Sequence, residues 1–133
     1  MTIRRFEEIA SWVEARELAG KVYRISNQGK FASDFGLRDQ IRKASVSIMA
    51  NIAEGFGRGS KADFIRFLWI SHASALETQS HLYIALDLGY LARMEFDTLY
   101  GKATEVARMI GGFIHYLSRD GERKNQRTKE PKN

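Results

Sequence analysis

The stretch Leu37–Arg58, LRDQIRKASVSIMANIAEGFGR, decides the fold. Leu37, Ile41, Ala44, Ile48 and Ile52 recur at spacings of four and three, the apolar stripe of a helix facing a core. Ser45, Ser47, Ala50 and Ala53 lie off that stripe and are small enough to let a second neighbour approach closely. Three polar groups, Gln40, Asn51 and Glu54, exceed what a plain packing helix needs. Gly55, Gly57 and Gly59 are expected to supply the left-handed or open backbone that ends the helix. A helix packed on two sides belongs inside an assembly, so this one segment bears on both fold and oligomerisation.

Outward from it, the rest of the chain repeats the helical period. The only proline is Pro131, and apolar spacings of three and four run throughout, which favours long helices over strands. A first helix is expected from about Phe6 to Ser26, with the stripe Trp12, Ala15, Ala19, Val22 and Ser26. The loop NQGKFASD follows, with Ser33 or Asp34 as the next N-cap. A third helix is expected to begin at Ser60, in the short-armed capping box Ser-Lys-Ala-Asp, and to reach Leu88. Phe64, Leu68, Ala75, Leu82 and Leu86 form its tighter seam. The fourth spans about Glu95 to Ser118 on Phe96, Leu99, Ala103, Val106, Ile110, Phe113 and Leu117. Gly111 and Gly112 inside it suggest close approach by a neighbouring helix. The expected architecture is all-α: an antiparallel up-down-up-down four-helix bundle over residues 1–118, followed by a polar, basic and disordered tail over 119–133.

Composition narrows the function classes. The chain has 133 residues, 44% of them hydrophobic, enough for one domain with a real core. It has no cysteine, so disulfides and thiolate metal sites are excluded. No apolar run approaches the ~20 residues of a membrane span. Glu7 and Glu8 stand where a signal peptide needs apolar residues. A soluble, cytoplasmic protein is expected, with no membrane partner. The net charge of +5 invites a nucleic-acid reading. From Arg119 onward, however, six Lys/Arg face three Asp/Glu, leaving 15 basic against 13 acidic groups in the body.

Few residues support catalysis. The di-iron sites of helical bundles need Glu-x-x-His pairs, and none of His72, His81 and His115 has a glutamate three residues before it. No metal or other cofactor is expected. Ser45 and Ser47 have no base at a readable spacing. GFGRGS follows a helix rather than a strand and lacks the lysine of a phosphate loop. Arg66 and His72 match the arginine-then-histidine spacing of HEPN-type ribonucleases, but six residues on a straight helix place them about 120° apart. No catalytic residue is assigned.

Two constellations remain. Gln40, Asn51 and Glu54 are expected to form a structural polar network, with Arg58 or Lys61 as the cation that Glu54 needs near a helix C-terminus. Arg38, Arg42, Lys43, Arg58, Lys61 and Arg66 gather in sequence around the second helix and the following turn. They are the candidate nucleic-acid-binding residues, balanced against the alternative of a solvated face.

Residues Gly36–Ser60, GLRDQIRKASVSIMANIAEGFGRGS, resemble the four-helix-bundle family of 23S rRNA intervening-sequence proteins. The matching pattern is a Gln, a basic pair, a Ser, then Asn-Ile-Ala-Glu-Gly and Gly-Arg. Trp12, Ala15 and Leu18 fit the family's first helix, and Phe64, Phe67, Leu68, Ser74 and Glu77 its third. The family is in turn similar to the accessory variability determinant of diversity-generating retroelements. Phe31-Ala32 replaces a usual Phe-Pro, and Ala73 a usual Gly. The resemblance implies a homopentameric ring with a central channel and a basic surface for RNA or DNA, sometimes beside a reverse transcriptase. It implies no catalytic activity and no cofactor. The expected function is a non-enzymatic, oligomeric nucleic-acid-binding accessory or scaffold protein. The alternatives are a homo-oligomeric protein-interaction scaffold and a HEPN-like ribonuclease using Arg66 and His72.

Overall fold

A computed structural model of the chain describes residues 2–120. A 3-10 turn, Phe6–Glu8, precedes five α-helices: α1 (Ala10–Ile25), α2 (Gly29–Ser33), α3 (Phe35–Gly57), α4 (Lys61–Asp87) and α5 (Arg93–Asp120). Among the described residues there is no strand. The long helices α1, α3, α4 and α5 close a ring of contacts in the order α1, α3, α4, α5 and back to α1. Short connections make neighbours antiparallel. Along α4 and α5, for instance, Phe64 meets Phe113 while Tyr83 meets Phe96. The tail expected at 119–133 falls outside the described residues from 121 onward; Arg119 and Asp120 complete the last turn of α5.

The stripes assigned from spacing are the core. Ile41, Ile48 and Ile52 of α3 are fully enclosed, as are Leu18, Val22, Leu68, Leu82, Ile110, Phe113 and Leu117. Every member of the α5 stripe is buried. Ser71, Ser74, Thr78 and Gln79 are buried beside the α4 seam. The three hydroxyls are satisfied locally or across to α3: Ser71 donates to the Ile48 carbonyl (2.6 Å) and Thr78 to the Ser74 carbonyl (2.9 Å), while Gln79 Nε2 donates to Thr104 Oγ1 of α5 (2.7 Å). A small side chain that bonds the backbone of the facing helix lets α3 and α4 approach closely.

Three expectations need correction. The first helix is interrupted at Ile9, whose extended backbone separates the 3-10 turn from α1. The NQGKFASD loop contains α2, held by the fully buried Phe31, whose ring stacks on Tyr90 at 5.4 Å. Tyr90 donates to Asp34 Oδ2 (2.9 Å), and Asp34 Oδ1 caps α3 through the Leu37 amide (3.1 Å). That bond to Asp34, burial and the carboxylate charge together hold the Tyr90 phenol above its ordinary value. Finally, Gly55 does not end a helix. It lies within α3, buried against α4, and of Gly55, Gly57 and Gly59 just the last takes a left-handed φ (+83°).

Gly111 and Gly112 also differ from expectation, since a Cβ on either meets nothing within 4 Å. Gly112 is exposed on a continuous helix. Gly112→Ala is therefore expected to stabilise the protein by about 0.5–1 kcal/mol, since alanine fixes the helical backbone at less entropic cost. Chemical denaturation of the two proteins measures the difference.

Lys102 of α5 ties that helix to α1. Its ammonium pairs with Glu14, with Glu17 (3.4 Å) and, within its own helix, with Glu105 (3.9 Å). Burial opposes the charge, but the bonds and charges of Glu14 and Glu17 outweigh it and hold Lys102 above the usual lysine value of 10.5. A base whose pKa rises on folding contributes stability below its unfolded value and loses it as pH climbs through the folded one. The margin of wild type over Lys102→Met should thus be full at pH 8 and shrink above pH 10.5, as read by denaturation at each pH.

Candidate nucleic-acid interface

The six basic residues do not form one site. Arg42 and Arg58 stand sixteen residues apart on or just past α3, about 24 Å along its axis. The structure sorts them to opposite ends of the bundle.

At the first end, α1 finishes, α2 turns, and α3 begins from its Asp34 cap. Arg42 Nε donates to Ser26 Oγ (2.8 Å) and its guanidinium lies over the Tyr23 ring, 4.6 Å from the centroid. A second donation reaches the Tyr23 carbonyl at 3.4 Å. Arg42 thus closes the C-terminus of α1, where a cation complements exposed carbonyls. One turn earlier, Arg38 donates to the Ala32 carbonyl (3.1 Å), pairs with Asp39 (3.2 Å) and lies 4.7 Å over the Phe35 ring. Lys43 is exposed beside them. Among the described residues neither Arg42 nor Lys43 forms an ion pair, and the same holds for Arg24 and Lys30 at this end. Asp34, the nearest other carboxylate in sequence, is occupied by Tyr90 and the Leu37 amide.

At the other end each arginine already has an acid. Arg58 pairs with Glu54 (3.0 Å) and Arg66 with Asp63 (3.5 Å), while both guanidiniums lie over Phe67. Lys61 is half-buried in the first turn of α4. Screened, neutralised pairs of this kind leave little net field for a phosphate.

The polar trio also separates. Asn51 Nδ2 donates to the Ser47 carbonyl (2.8 Å) and Ser47 Oγ (2.9 Å), and Ser47 Oγ meets Ser74 Oγ of α4 at 2.9 Å. Asn51 therefore reaches α4 through Ser47. Glu54 is exposed and held by Arg58, the cation expected for it. Gln40 is exposed and takes no part in this network among the described residues.

The residues that spacing overlooked are aromatic. Phe35 is 63% exposed and Tyr23 45% exposed, each carrying one arginine. Phe35 directly follows the N-cap and lies off the Leu37–Ile52 stripe, a signal available in the sequence. Tyr23 has no such signal, because its role depends on Arg42 arriving from another helix.

A second surface lies on α4. Trp69, Leu76 and Tyr83 are about half exposed at seven-residue spacing, with Ala73 and Ser80 between them and Ile70 and Ile84 alongside. This is a two-in-seven helical seam; Tyr83 at its end packs partly on Phe96 and Tyr100 of α5, while Trp69 and Leu76 leave about half of their surface exposed. His72 packs edge-on against Trp69 at 5.5 Å, whereas Arg66 leans onto Phe67 and Asp63. The two residues of the HEPN-like spacing are thus engaged separately. Among the described residues no group of three potential metal ligands occurs, and no helix is long and apolar enough to cross a membrane.

The sequence profile of the family described as "23S rRNA-intervening sequence protein" matches residues 7–112. A crystal structure of a protein with unknown function from the S23 ribosomal protein family, from Bacteroides thetaiotaomicron VPI-5482, is similar to the chain at 26% identity. It covers 79% of this chain and 98% of its own, with a TM-score of 0.73. No curated protein matches.

Proposed function

The chain belongs to the 23S rRNA-intervening sequence protein family, and from that premise we propose that it is a homo-oligomeric accessory protein that binds nucleic acid through phosphate contacts. The observation carrying this reading is the cluster at the α1–α3 corner: Arg42 and Lys43 without acid partners, with Arg38, Arg24 and Lys30 at the same end. Arg42 is pre-positioned by Ser26 and the Tyr23 carbonyl. A guanidinium fixed before binding loses little freedom when a phosphate arrives. The opposite end contributes less, because Glu54 and Asp63 already occupy its arginines. No chemistry is assigned, and the protein works by holding rather than transforming its partner.

Self-association is supported by the α4 seam. Trp69, Leu76 and Tyr83 expose apolar surface of the kind an oligomer covers. A closed ring, the homopentamer that the family resemblance implies, multiplies the basic corner around an axis and with it the phosphates neutralised. A reverse transcriptase is one protein partner such a ring would present to RNA.

Purification in low and then high salt tests the reading, with the 260/280 nm absorbance ratio and the mass by light scattering followed together. Nucleic acid that co-purifies and elutes with salt from an oligomer is expected. The α4 seam alone favours a second reading, a protein-interaction scaffold. Oligomeric protein with no affinity for RNA or DNA at any salt would establish that one instead.

A further inference from the structure

The α1–α3 corner holds two exposed rings, each stacked with an arginine, and this pairing goes further than phosphate contact. Phe35 carries Arg38 at 4.7 Å and Tyr23 carries Arg42 at 4.6 Å. Arg38 and Arg42 are one helical turn apart, about 6 Å along α3, so both stacks belong to the same end of the bundle. We propose that this corner is a stacking platform for single-stranded nucleic acid, in which unpaired bases lie on Phe35 and Tyr23 while Arg42 and Lys43 take the adjoining phosphates. The inference rests on the nucleic-acid reading above and names its substrate class.

The physical argument has three parts. An aromatic face binds any base by stacking, but only a base that is not already stacked inside a duplex. A planar guanidinium lying on the ring extends the platform, because bases stack on guanidinium planes as well. The corner is also set in advance: Arg42 is anchored by Ser26 Oγ and the Tyr23 carbonyl, and Arg38 by the Ala32 carbonyl. A protein-binding hot spot would instead surround the rings with apolar neighbours. The seam on α4 has that character and this corner does not.

Fluorescence anisotropy with three labelled probes tests it at fixed salt: an oligouridylate, its duplex with oligoadenylate, and an abasic strand of the same length. Wild type is expected to prefer the oligouridylate over both others. Phe35→Ala and Tyr23→Ala should each weaken oligouridylate binding about 5- to 150-fold and leave the salt dependence unchanged. Phe35→Leu, which keeps an apolar contact for Arg38, should not restore it. Ring variants that bind like wild type overturn the platform, as does equal affinity for the abasic strand. If those results coincide with weakened binding when Arg38 and Lys43 are reversed, phosphate contact stands without stacking. If no probe binds wild type, both readings fall.

Discussion

Gly55→Ala is expected to destabilise the protein by about 1–3 kcal/mol, although alanine is ordinarily the better helix former by roughly 1 kcal/mol. The reversal of sign comes from geometry. A Cβ at position 55 stands 2.6 Å from Phe67 Cβ and 3.2 Å from Phe64 Cδ1. The first contact is to an atom fixed by the α4 backbone, so relief requires the two helices to separate. Separation in turn strains the bonds at 2.6 Å and 2.9 Å that join Ser71 to Ile48 and Ser47 to Ser74. Urea denaturation of Gly55→Ala should show a lower midpoint with an unchanged slope. A midpoint equal to or above that of wild type would mean that α3 and α4 have room to spare, and the close-approach account would be wrong. Gly112→Ala serves as its internal control, being the same substitution on a helix where a Cβ meets nothing.

The second large effect concerns the basic corner. Reversing Arg38 and Lys43 to Glu while replacing Arg42 by Gln is expected to lower affinity for a single-stranded RNA about 100-fold at low salt. The slope of log affinity against log salt should fall by about 1.4, at roughly 0.7 for each of the two phosphates that Arg42 and Lys43 no longer neutralise. Glutamine at 42 limits disturbance of the α1 terminus that Arg42 closes, and a thermal melt verifies that the variant folds. Reversing Arg58, Lys61 and Arg66 should cost less, because Glu54 and Asp63 already neutralise two of the three, whereas at the corner only Arg38 has an acid, Asp39. Equally weakened binding in the two triple variants would argue that the two ends act as one surface. Unchanged binding in both would remove phosphate contact from the account.

Much of the bundle was legible from spacing because helical periodicity is a local property. The stripes of Ile41, Ile48 and Ile52 in α3 and of Phe96 through Leu117 in α5 are buried as expected. The Ser60 cap is where the capping pattern placed it, accepting from the Asp63 amide at 3.1 Å. Glycine was less legible. Gly55 was expected to end a helix and Gly111 and Gly112 to admit a close neighbour, yet Gly55 marks the contact between helices and the other two mark open space. Which of these holds depends on the neighbour across the gap, and no spacing within one helix encodes that.

The candidate site shows the same division more sharply. By itself the sequence determined that this chain is a helical bundle, that its signature lies in Gly36–Ser60, and that its body carries a near-balance of charge. Tertiary structure alone decided what each charge is free to do. Arg42 meets Tyr23 and Ser26 from another helix, while Arg58 and Arg66 fold onto Phe67 beside their own carboxylates. Arg38, Arg42 and Lys43 became one corner and Arg58, Lys61 and Arg66 another, although sequence placed all six in a single run. The physical reason is reach: a helix repeats every 3.6 residues and so announces its buried face within a few turns. A guanidinium on a long side chain chooses its partner from whatever the packing of other helices brings within a few ångströms.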